Sequence, residues 1–163
     1  MRILSIIIFF LSSCNDGKTK VDTSQESQFR RTEIVGNWIV VGSNIIPFDH
    51  ISFCKNISLN SIFEFDQNGC LKVIDSKTGS YCNLEISQNY FVQGNILKMV
   101  EDDMLFEYKI QKLTPDTLIL RIDRTPEHYF TDTLQNYERM ENDMREISAN
   151  GINVTLVRQK SGL

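Results

Sequence analysis

The sequence predicts an all-β domain, an antiparallel up-and-down β-barrel of about eight strands with one C-terminal helix. Three observations predict it. From Ile34 onward, apolar residues recur at every second position, the period of half-buried strands. Turn residues punctuate the chain at spacings of roughly ten residues, short enough for hairpins and too short for crossover helices. Near the C-terminus the period changes to that of a helix and then returns to two.

The first strand begins around Gly36-Asn37-Trp38. Residues Asn44 to Asn60 contain Pro47 and no clean alternation, so a long loop, with room for a short helix, is expected to cover one end of the sheet. Phe63 and Phe65 then flank Glu64, Leu71 and Val73 flank Lys72, and Cys82, Leu84 and Ile86 flank Asn83 and Glu85. The clearest run sets Met104, Phe106, Tyr108 and Ile110 against Leu105, Glu107, Lys109 and Gln111; Leu118, Leu120 and Ile122 alternate in the same way. Between these runs lie Asp66-Gln67-Asn68-Gly69, Ser76 to Ser80, Gln93-Gly94-Asn95, Glu101-Asp102-Asp103 and Thr114-Pro115-Asp116, whose residue types favour turns. Leu134, Tyr137, Met140, Met144 and Ile147 follow at helical spacing, with Asp132 as candidate N-cap and Gly151 as candidate C′ residue. Ile152, Val154 and Leu156 close the chain as a last strand. The expected order is therefore strand, loop, about six strands, helix, strand.

The N-terminus carries an address. Arg2 precedes an apolar run from Ile3 to Leu11, then Ser12, Ser13 and Cys14, the parts of a secretory signal. That run is far shorter than the ~20 residues a transmembrane helix needs. Leu11-Ser12-Ser13-Cys14 resembles the bacterial lipobox, which implies lipidation of Cys14 and cleavage on its N-terminal side. More than one acyl chain anchors stably, at ~0.8 kcal/mol per buried CH₂. Residues 1–13 are thus expected to be a lipoprotein signal peptide. Residues 14–31 are too polar to offset their ordering entropy and read as the lipidated cysteine and a disordered tether. As a flexible coil this tether reaches roughly 20–25 Å from the membrane. Residues 32–163 form the barrel domain. Asn15 after the lipidated cysteine implies, by resemblance to Gram-negative sorting, release to the outer membrane.

The full chain has 17 Lys+Arg against 21 Asp+Glu, a net charge of −4. Such mild acidity argues against nucleic acid and offers no basic patch for anionic lipid. With Cys14 acylated, Cys54, Cys70 and Cys82 remain, an odd number in an oxidising compartment. One disulfide and one thiol are expected, with the pairing open.

Gly36-x-Trp38 on the first strand, after a polar tether and before a meander, resembles the opening motif of lipocalins. The Phe63–Gly69, Gly94–Leu97 and Leu113–Leu118 segments resemble those of lipocalin-like lipoproteins of Bacteroidetes-type envelopes, and the terminal helix-then-strand order fits as well. The resemblance implies a calycin-like barrel in which Trp38 packs across the closed end under a basic side chain from near the C-terminal strand. Arg158 and Arg139 are the candidates, and the helical placement of Arg139 favours Arg158. It also implies an interior able to hold a small hydrophobic ligand. The inward positions that would line it are Phe63, Phe65, Phe106, Tyr108, Ile110, Leu120 and Ile122. These residues are large, and large inward residues also make a filled core.

Motifs for chemistry are sparse. His50 and His128 fall in irregular segments, and Ser52 near His50 lacks a nucleophile elbow. Glu101-Asp102-Asp103 lacks the spacing of a calcium loop and reads as a solvated turn. Neither zinc spacing nor a phosphate loop occurs, so no cofactor, no metal and no enzymatic activity are expected. The leading expectation is a membrane-anchored envelope protein carrying a small hydrophobic ligand. The alternative is a filled barrel that binds an envelope protein partner through its loops in an inhibitory, immunity or assembly role, with Asn44–Asn60 as the favoured surface.

Overall fold

The computed structural model describes residues 29–50, 54–82, 88–101, 104–124 and 137–160. Cys14, Ser52, Leu84, Ile86, the 102–103 turn, His128, Asp132 and Leu134 lie outside them. In chain order the elements are α1 (Arg31–Ile34), β1 (Gly36–Ser43), β2 (Phe48–His50), β3 (Cys54–Ile57), β4 (Ile62–Phe65), β5 (Cys70–Ile74), β6 (Gln88–Gln93), β7 (Ile96–Glu101), β8 (Met104–Leu113), β9 (Thr117–Ile122), α2 (Tyr137–Asn150) and β10 (Ile152–Arg158). Eight of the strands form one closed antiparallel barrel, ordered β1-β10-β9-β8-β7-β6-β5-β4, and β2 and β3 form a separate hairpin. The predicted barrel and its single C-terminal helix are the observed architecture.

Closure follows from the alternation. In β9 every second residue, Leu118, Leu120 and Ile122, is buried, and their cross-strand partners on β10 are Leu156, Val154 and Ile152, buried as well. Such facing apolar pairs fix the register, because a slip of one residue would turn the whole set outward. The last strand returns beside the first, with Trp38 opposite Arg158 and Val40 opposite Leu156, so no edge is left in the barrel wall.

Three features differ from the sequence-based expectation. The segment between β1 and β4 contains the β2–β3 hairpin rather than a loop or short helix. Its strands, of three and four residues, are too short to show a period in the sequence; Phe48, Cys54 and Ile57 on them are buried in the core. The packed chain also begins before residue 32. Phe29 lies against the core and Arg31 opens α1, so the last residues assigned to the tether belong to the domain's closed end. The strand expected at Cys82–Ile86, ahead of the Gln93–Asn95 turn, has as its described counterpart β6, which runs from Gln88 to Gln93; Leu84 and Ile86 lie outside the described residues.

Helix α2 ends where expected. Gly151 has φ +69 and its N–H donates to the Ile147 carbonyl at 2.8 Å, a left-handed stop after the last turn. A Cβ there would come within 2.7 Å of Asp123 Oδ1, so the same glycine lets the chain turn into β10 beside β9. Hydrogen bonds from Lys109 and Arg121 hold the Asp123 carboxyl below the usual carboxylate range.

Candidate functional site

The two ends of the barrel are built differently. At one end, β1 brings Trp38 inward, where it is fully buried and its indole Nε1–H donates to the Ile34 carbonyl of α1 at 2.7 Å. Arg158, its cross-strand partner on β10, lays its guanidinium 4.1 Å from the ring centroid. The same guanidinium donates to three carbonyls: Nε–H to Pro115 at 2.6 Å, Nη2–H to Glu33 at 2.7 Å, and Nη1–H to Val35. One side chain thereby joins β10, the β8–β9 turn and α1 above the indole. Arg's planar fork suits this arrangement, since its donors diverge while its face stays free to stack.

Gly36 leaves room for that side chain. It has φ +128, a conformation that side chains rarely adopt, and a Cβ built there would lie 2.5 Å from Arg158 Nη1. Gly36→Ala is expected to lower stability by about 1–3 kcal/mol. Part of that loss should disappear in an Arg158→Ala background, where the contact is gone and only the backbone strain remains. Urea unfolding of the four variants in a double-mutant cycle checks this, and strict additivity would show that the two residues do not meet.

The opposite end is covered by the β2–β3 hairpin. Ile45, Phe48, Cys54 and Ile57 are buried against the barrel core. Two tethers hold the hairpin in place. Cys54 is disulfide-bonded to Cys82, beyond β5, and Cys70 is the free thiol. Asn44, just before the hairpin, donates to Glu146 Oε1 at 2.9 Å and to the Gly151 carbonyl at 3.0 Å, and accepts from Asn153 N–H at 2.7 Å. The cover is thus a separate piece, fastened ahead of its first strand by Asn44 and at its turn end by Cys54, unlike the Trp38–Arg158 end, which is made by the wall itself.

Between the two ends the seven interior positions named from the sequence share the inward face. Phe63, Phe65, Tyr108, Ile110, Leu120 and Ile122 are buried, and Phe106 is partly buried beneath the Arg124 guanidinium at 5.1 Å. Phe65 meets Tyr90 edge-on at 5.0 Å, and the Tyr90 hydroxyl donates to the Asp66 carbonyl at 2.6 Å. Burial pushes the Tyr90 phenol up to about 12, with nearby Arg31 opposing the shift.

Sequence reasoning missed one interior residue of a different kind. Gln88 on β6 is fully buried, lies opposite Leu71 on β5, and neither its Oε1 nor its Nε2 has a hydrogen-bond partner among the described residues. Leaving such an amide unpaired costs about 1–3 kcal/mol, against a net gain near zero for an apolar residue of the same shape. The local signal for it is the run Gln88-Asn89-Tyr90-Phe91-Val92-Gln93, in which alternation exists but a glutamine occupies an inward position.

His50 lies on β2, and among the described residues no three His, Cys, Asp or Glu side chains gather as metal ligands. No helix among them is long and apolar enough to cross a membrane, which says nothing of strands. The fold and its interior define a closed antiparallel barrel, covered at one end by a hairpin, with the Gln88 amide on its inward face. No family model, no curated protein and no solved structure matches the chain.

Proposed function

We propose that this chain is a lipid-anchored protein of a bacterial cell envelope whose barrel takes up one small hydrophobic molecule. The observation that carries this reading is the difference between the two ends. One is sealed by residues of the wall, through Trp38 and Arg158, and the other is covered by a hairpin that is no part of the wall. A vessel needs that asymmetry: one end that stays shut, and one whose cover is no part of the barrel ladder. The inward face between them is almost wholly apolar, as binding of a hydrophobic molecule requires. The lipobox-like Leu11–Cys14 segment supports the envelope address, and the modest acidity of the chain agrees with an apolar rather than an anionic ligand.

The test is uptake of an environment-sensitive apolar fluorophore by the chain beginning at Asn15, which retains every described residue, including all those of the core cluster, and brings neither acyl chains nor detergent to compete. Saturable uptake near one probe per chain, displaced by unlabelled hydrophobes, is the expected result. Absence of displaceable uptake across a broad lipid and hydrophobe panel would overturn the proposal.

A further inference from the structure

Strand β6 breaks the polarity expected of a barrel wall at two positions. Phe91 stands outward with 41% of its surface exposed, while Gln88, three positions away on the opposite face, is completely buried. Gln88 shares the inward face with Tyr90 and Val92 and has Leu71 directly across the ladder. It is also the last β6 residue paired to β5. The β5–β6 ladder consists of Cys70↔Asn89 and Leu71↔Gln88, and farther along β5 the residue bridged to Ile74 is Tyr81. Buried polar side chains are rarely left without partners, and one that is calls for a physical reason. Tyr90, its neighbour on the same face, shows the ordinary solution, since its hydroxyl reaches a backbone carbonyl.

A primary amide presents a donor and an acceptor side by side. A hydrocarbon answers neither. A carboxylate answers only the donor and brings a charge onto a face where Leu71, Phe65, Tyr90 and Met99 supply no cation. Arg31, whose charge acts on Tyr90, donates to the Gln67 carbonyl at 3.1 Å, and Arg124 is engaged over the Phe106 ring. A neutral group that both donates and accepts answers both amide atoms at once.

We infer that Gln88 anchors the head group of the molecule held in the barrel, and that this molecule is an apolar chain ending in a carboxamide or similar neutral donor–acceptor group. The inference rests on the ligand-binding reading above. It assigns to Gln88 the specificity that the apolar wall cannot provide, because apolar contacts grade ligands by size while an unpaired buried amide discriminates by head group.

Displacement of the same fluorophore from the chain beginning at Asn15 tests it, with dodecanamide, dodecanoate and methyl dodecanoate as competitors of equal chain length. In the unaltered chain dodecanamide is expected to bind about tenfold or more tighter than the other two, the worth of one or two hydrogen bonds to a group otherwise buried unpaired. Gln88→Leu and Gln88→Met, which keep the side-chain bulk without the amide, should bind all three alike and hold methyl dodecanoate as tightly as before. Equal displacement by the three in the unaltered chain, tighter binding of dodecanoate, or a preference for dodecanamide that survives both substitutions would overturn the role of Gln88 while leaving the ligand-binding reading intact. Failure of all three competitors and of the wider hydrophobe panel would instead overturn both.

Discussion

Trp38→Ala is expected to lower the free energy of unfolding by about 3–5 kcal/mol, the range for truncating a fully buried aromatic residue. The indole is the largest of the fully buried side chains, and three separate contacts end on it. Its ring fills the closed end, its N–H holds the Ile34 carbonyl, and its face carries the Arg158 guanidinium. Removing the ring leaves a void under Arg158 and takes away one of the hydrogen bonds that hold α1 to the barrel. Trp38→Phe keeps most of the volume but loses the indole N–H, and should cost about 1–2 kcal/mol. Chemical denaturation of both variants gives the two figures. An unchanged unfolding midpoint for Trp38→Ala would mean that the residue does not close the barrel.

Breaking the Cys54–Cys82 bridge is expected to cost about 3–4 kcal/mol by the loop-entropy relation for the 28-residue separation. The effect falls mainly on the unfolded chain, which gains freedom once the hairpin is no longer joined to the segment after β5. Cys54→Ala with Cys82→Ala should unfold at lower denaturant, and a reducing agent should move the unaltered chain to the same midpoint. Cys70→Ala should leave the midpoint nearly where it was, since Cys70 is the free thiol. A chain whose midpoint responds to loss of Cys70 as strongly as to loss of Cys54 would contradict this pairing.

The wall of the barrel was legible where the two faces of a strand differ in polarity. Leu118, Leu120 and Ile122 on β9 and Tyr108 and Ile110 on β8 are inward residues separated by charged or half-exposed ones, so the period of two is visible in the letters. It was lost where that contrast fails. On β6 the inward set starts with Gln88 and the outward set contains Phe91, which cancels the signal and hides both the strand's place and the polar group it buries. On the hairpin the strands are too short to show a period, and only their burial against the barrel reveals which residues matter. The cysteine pairing was closed to sequence reasoning because any two of three thiols satisfy the arithmetic; the barrel decides it by bringing β3 beside the end of β5. Arg158 lies 123 residues from Val35, and no local pattern relates them. Only the lipocalin resemblance suggested a basic residue over Trp38, and the pairing of β1 with β10 is what carries Arg158 there. A strand that breaks its own alternation without losing its place in the sheet is where a functional residue is sought, which is why the proposal falls on Gln88.

The most direct test of the account is the mass of the protein as the cell makes it. Native mass spectrometry of the protein purified from the cell should show a species heavier by one small molecule than the covalent mass of the same sample after denaturation. Organic extraction should remove that increment and leave the chain able to take up dodecanamide in its place. A single species at the covalent mass, unchanged by extraction and by added dodecanamide, would contradict the claim that the barrel is a vessel.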